Sequence, residues 1–311
     1  MKKSYYIFIL LFLIIISLCF PVSANKLSNS INIQIGNNFG YTQFEINGYD
    51  SNGQYRSLLE FPLNVRVFSL EYEKILKKKI LNIKRIQLQK TKNITEEGGT
   101  FKDSDWIGTT GIHIKDIEGI SSTRVEDLSK WDFRLVSDEK KFFSSINGFF
   151  HIGYKYNYYE LVTYNTTQTA LTDNFWAPEG TSIYIPGDSI KYKVVYNIPY
   201  LGLSLYSKIL GNIVLLNNFS YSPMTTIRDE DHHLHRNLVV KGSGQGNSFS
   251  YKGEILYNLE NNLKIQFEGS YHYSKLEGKQ DQYHTNTIIK NINYLAKQEN
   301  YQFKVGSIIN F

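Results

Sequence analysis

The 311-residue sequence contains a single cysteine, Cys19, inside an N-terminal apolar run. If that run is removed as a leader, the remaining chain has no disulfide, no thiol nucleophile and no thiolate metal ligand. Proline is sparse, at six residues, so little interrupts long strands. Neither sign of charge dominates. The formal net charge of +5 falls by two once Lys2 and Lys3 leave, which is too balanced to imply a nucleic-acid partner. Beyond the leader no apolar run reaches the roughly 18 residues that a transmembrane helix needs.

What precedes Asn25 reads as an export signal. Lys2 and Lys3 form a basic start, residues 5–20 an apolar centre, and Val22–Ser23–Ala24 a small-residue cleavage site. We expect cleavage after Ala24, giving a signal peptide over 1–24 and a single domain over 25–311. Leu18 before Cys19 is too large for lipoprotein processing.

What the sequence does have is aromatic residues in strand-like patterns: 24 tyrosines and 19 phenylalanines. In residues 263–273, Leu263, Ile265, Phe267, Gly269, Tyr271 and Tyr273 share one face. Lys264, Gln266, Glu268, Ser270 and His272 share the other. Residues 146–158 and 301–311 alternate in the same way, and the sequence closes on Phe311. Only helices and closed barrels satisfy the backbone in lipid. The expectation is therefore an all-β protein, a transmembrane antiparallel β-barrel of about ten strands with long extracellular loops. The polar stretches 92–128, 165–188, 223–250 and 275–293 are the loop candidates. Parity from Leu215, Phe219 and Tyr221 would put Asp231 on the lipid side. Either a bulge near Pro223 resets the register, or the strand ends before Asp229.

Two loop candidates carry paired ionisable residues. Asp103–Ser104–Asp105–Trp106 follows Gly98–Gly99, and Asp229–Glu230–Asp231–His232–His233 comes much later. On a strand, residues two apart project to one side, so Asp103 can share a site with Asp105, and Asp231 with His233. Two neighbouring carboxylates cannot both ionise easily and can hold a proton. A carboxylate beside a histidine fixes its tautomer and steadies its charged form. Together the pairs could activate a water against a peptide carbonyl. The same residues allow a second reading, in which Asp231, His233 and His235 bind a transition metal. A pore or adhesin would use the barrel without chemistry.

These blocks, with Ile198–Pro199–Tyr200–Leu201–Gly202–Leu203, Gly153–Tyr154 and the final Phe311, resemble the omptins, a family of outer-membrane proteases built as ten-stranded barrels. The resemblance runs along nearly the whole mature chain. It implies that Asp103 and Asp105 form an aspartate couple and Asp231 and His233 an Asp–His couple. Water between them would be the nucleophile, without a metal or other cofactor. It also implies a monomer in the outer membrane, facing the exterior, acting on peptides or proteins with basic and especially dibasic sites. The acidic pocket for the basic side chain maps onto Asp229 and Glu45, and a one-residue slip would replace Glu45 with Phe44. The family's requirement for lipopolysaccharide maps onto the strand of Tyr154, where this chain has Tyr156 and Tyr158 in place of charged side chains.

Overall fold

The computed structural model describes residues 29–50, 53–80, 82–107, 114–143, 145–174, 176–285 and 287–311. The proposed signal peptide and its cleavage site lie outside them. Among the described residues thirteen strands form one sheet: β1 (Asn29–Asp50), β2 (Gly53–Pro62), β3 (Val65–Ile80), β4 (Ile83–Asn93), β5 (Glu97–Trp106), β6 (Ile117–Ser137), β7 (Lys140–Lys141), β8 (Asn147–Ala170), β9 (Ser182–Leu210), β10 (Ile213–His233), β11 (Leu238–Asn258), β12 (Leu263–Tyr283) and β13 (Ile288–Asn310). The sheet closes because β1 pairs with β13 and β6 with β8, both antiparallel. β2 and β3 together make one stave, and so do β4 and β5, because β1 pairs with β3 along its first half and with β2 along its second. With β7 as a two-residue stub, the ring has ten staves.

Closure leaves no sheet edge, so every backbone group at mid-height has a partner. Most outward side chains there are apolar. Ile35, Val305, Phe267 and Ile255 lie side by side on four adjacent staves, all exposed. Phe39, Tyr301, Tyr271, Tyr251 and Phe219 form the next aromatic row but one, with ring centroids 5.0 Å apart for Tyr271–Tyr301 and 5.2 Å for Phe219–Tyr251. From Ile33 to Tyr41 this band runs about 27 Å along the strand, at roughly 3.4 Å per residue, and strand tilt shortens that to the thickness of a hydrocarbon layer. The inward residues at this level are polar and pair with one another. Arg134 contacts Asp132 at 2.7 Å, Lys304 contacts Glu268 at 2.8 Å, and Lys252 contacts Glu254 at 2.5 Å.

Beyond the band the strands continue. Much of what the sequence pattern assigned to loops is hydrogen-bonded sheet standing clear of the apolar belt. β10 and β11 pair to His233–Leu238, and β12 and β13 to Tyr283–Ile288. Alternation is harder to read there because the outward face has left the lipid and meets water, while the inward face mixes acids with a buried apolar cluster that includes Phe44, Tyr192, Val194 and Ile227. β10 reaches this level through a register shift between Ser222 and Thr225 against β11, with a matching one against β9. The bulge alternative therefore holds. It turns Asp229, Asp231 and His233 inward while Glu230 and His232 face out, the latter pair 2.5 Å apart.

Candidate active site

Two walls face each other above the belt. On one, β1, β2 and β5 run side by side, and their register puts Phe44, Leu59 and Asp103 in one row and Ile46, Ser57 and Asp105 in the next. On the other, Val194, Asp229, Gly242 and Gln280 form a row across β9 to β12, with Tyr192, Asp231, Val240 and Gln282 beside it. All of these but Val194 and Gly242, with His233, Arg236, Leu238, His284 and Ile289, line a cleft of about 350 Å³. The alternation of β5 and of the reset β10 thus brings together residues 124 or more positions apart.

Asp103 and Asp105 sit half-buried on their strand. Burial holds the Asp103 carboxyl well above the usual carboxylate range, and the neighbouring Asp105 charge adds to it. Asp105 is raised too, mainly by burial, with the Ser57 hydroxyl, Arg236 and His233 pulling the other way. Oδ1 of Asp103 is buried with no hydrogen-bond partner. Such a pair favours a state that holds a proton between the two carboxyls.

Opposite them, His233 Nε2 lies 2.9 Å from Asp231 Oδ2, and both residues are buried. The other ring nitrogen, Nδ1, is 2.7 Å from Nη2 of Arg236. A guanidinium only donates, so Nδ1 is the acceptor and Nε2–H donates to Asp231. Arg236 stands in the turn after β10, and its charge acts on both Asp103 and Asp105. It is therefore a cation between the two couples. Nothing in the sequence pattern singled it out, because its role depends on a turn that folds it back onto His233.

Asp229 lies deeper, 9% exposed. Tyr294 donates to its Oδ1 at 3.2 Å. Burial pushes its carboxyl up to about 7; the Tyr294 bond lowers it and Asp231 raises it. Gly242 on β11 makes room, since a Cβ there would come within 2.4 Å of Oδ1. Among the described residues no basic side chain is paired with Asp229.

Glu45 is not part of this cleft. Its carboxylate faces the other side of β1, where it takes Arg56 at 3.0 Å, and Arg56 in turn covers the Trp106 ring at 4.3 Å. Phe44 is the residue of β1 that lines the cleft. A one-residue difference in register inverts the face, and the loose motif of the first strand could not fix it. Trp106 accordingly neither walls the cleft nor joins the belt. His235 stands exposed in the turn beyond β10, so it does not join Asp231 and His233. Among the described residues no cluster of three carboxylates, imidazoles or thiols suited to a metal occurs.

The sequence model of the Omptin family matches residues 25–307. No curated protein sequence matches the chain. Among solved structures, the outer membrane protease OmpT from Escherichia coli superposes with a TM-score of 0.80 at 17% identity, over 94% of this chain and 99% of that one. The translocator domain of the autotransporter NalP from Neisseria meningitidis covers 93% of this chain and 90% of its own, at 9% identity and a TM-score of 0.36.

Proposed function

Since the chain belongs to the omptin family, and is accordingly an outer-membrane protease, we propose that it is an endopeptidase that cleaves beside basic residues, using a water held between the Asp103–Asp105 couple and the Asp231–His233 couple. One observation carries this reading. The two couples stand on facing walls of one cleft, whose lining includes Asp103, Asp105, Asp231 and His233.

In this mechanism His233 is the general base. Asp231 fixes its tautomer and offsets the positive charge it gains. The accepting nitrogen is Nδ1, so the Arg236 guanidinium has to leave it when water and substrate enter. The water attacks the peptide carbonyl directly, with no acyl-enzyme. The proton held by Asp103 and Asp105 hydrogen-bonds the developing oxyanion. His233 then returns its proton to the leaving amine. Asp229 receives the lysine or arginine side chain by a charge-assisted hydrogen bond.

The cleft opens at the end of the barrel away from the short turns near Gly211 and Asn261, and we assign that end to the cell exterior. Tyr156 and Tyr158 lie on the outer face of β8, with Tyr158 donating to Glu160 at 2.9 Å. The decisive experiment incubates refolded protein with an Arg-Arg peptide, with and without lipopolysaccharide, and locates the cut by mass spectrometry. Cleavage between or after the arginines, lost in Asp105→Ala and His233→Ala proteins that still insert, is the expected result. An intact peptide in both arms would refute the reading. A cut in the lipopolysaccharide arm alone would show that the lipid is required.

A further inference from the structure

At the deep end of the cleft Asp229 stands against aromatic walls, and Asp231, two residues along the same strand, is already paired with His233. Phe44 packs its ring edge-on to Tyr192 at 4.8 Å and lies 6.0 Å from Tyr294, the phenol that caps Asp229. Ile46 and Val240 continue the lining. The only other acid on this part of β1, Glu45, is turned outward and already neutralised by Arg56. A pocket with two carboxylates excludes apolar side chains, because at least one charge would remain buried and unpaired. With one carboxylate that exclusion lasts only while the group is charged. Flat rings suit either occupant, since they bury apolar surface and attract a cation to their faces.

We propose that this pocket has dual specificity set by Phe44 and Asp229. It takes lysine or arginine when Asp229 is ionised, and aromatic or long aliphatic side chains when Asp229 is neutral. The inference rests on the peptidase reading given above and narrows its substrate class.

The surroundings of Asp229 favour a change of state near neutrality. Tyr192 and Tyr196 approach from β9, Asp231 from its own strand, Gly242 from β11, Gln280 from β12, Tyr294 from β13 and Phe44 from β1. The phenols of Tyr192, Tyr196 and Tyr294 are all pushed further from ionisation by burial. They remain neutral across the working range. Among the described residues Asp231 is the charge that acts on Asp229, and it opposes ionisation. With Asp229 titrating at about 7, the charged fraction changes about tenfold between pH 8 and pH 6.

The test uses full-length refolded protein and peptides that differ only in the residue before the cut: Lys, Arg, Phe, Leu or Glu. Both classes of peptide share one catalytic apparatus, so its own pH dependence cancels in the ratio of their kcat/KM values. The Lys:Phe ratio should fall about a hundredfold from pH 8 to pH 6, because the charged fraction falls about tenfold while the neutral fraction rises about tenfold. In Asp229→Asn, which keeps the shape, the ratio should be low and flat. In Phe44→Glu it should be raised at both pH values. Cleavage after Lys and Arg alone at both pH values, or a parent ratio that does not move, would overturn the dual specificity and leave the peptidase standing. If folded protein cuts none of the peptides, both readings fall.

Discussion

Replacing His233 with alanine separates chemistry from stability, because the side chain serves both. Its Nε2 lies 2.9 Å from Asp231 Oδ2, with the two side chains 10% and 6% exposed. Oδ1 of Asp231 is already buried without a partner. In His233→Ala the carboxylate keeps its burial and loses its donor. Leaving a buried polar group unmet costs about 1–3 kcal/mol, and more if it is charged. Losing the general base costs on the order of 10²–10⁴ in rate, or about 3–5 kcal/mol of barrier. The double variant Asp231→Ala/His233→Ala removes the stranded carboxylate as well. It should therefore be little less active than His233→Ala, since the two act as a unit, yet resist denaturant better than the single variant. The assays are hydrolysis of a quenched Arg-Arg peptide and urea unfolding in detergent, followed by the mobility difference between folded and unfolded barrel. Full activity in His233→Ala would refute the base assignment. Rate losses that simply multiply, with the double variant also the least stable, would refute the coupling.

Asp103→Asn should abolish most cleavage while making the barrel more resistant to unfolding at pH 8. The raised Asp103 carboxyl favours folding at low pH, and that contribution is lost as pH rises through its folded value; denaturation at pH 5 and pH 8 measures the difference, and an equal change at both would contradict it. Arg236→Ala should move the basic limb of the activity profile to higher pH. It removes a cation that lowers Asp103 and Asp105, so the couple keeps its proton to higher pH; an unmoved limb would remove Arg236 from the mechanism.

The barrel was legible because lipid imposes a strict rule. Where strands cross it, one face must be apolar, and residues 263–273 and 301–311 show that period directly. The aspartate couple and the Asp–His couple were legible as local spacings, since alternation alone puts Asp103 with Asp105 and Asp231 with His233. Three things were decided only by tertiary structure. The shift between Ser222 and Thr225 turns β10 so that its acids face the cleft, and a sequence motif leaves that bulge as one of two alternatives. The pairing of β1 with β2 and β13 fixes Phe44 inward and Glu45 outward, because register is set by backbone partners on neighbouring strands. The turn after β10 brings Arg236 onto His233, a contact made by chain reversal. Periodicity carries the first kind of information within a few residues; the second kind exists only once distant strands have paired.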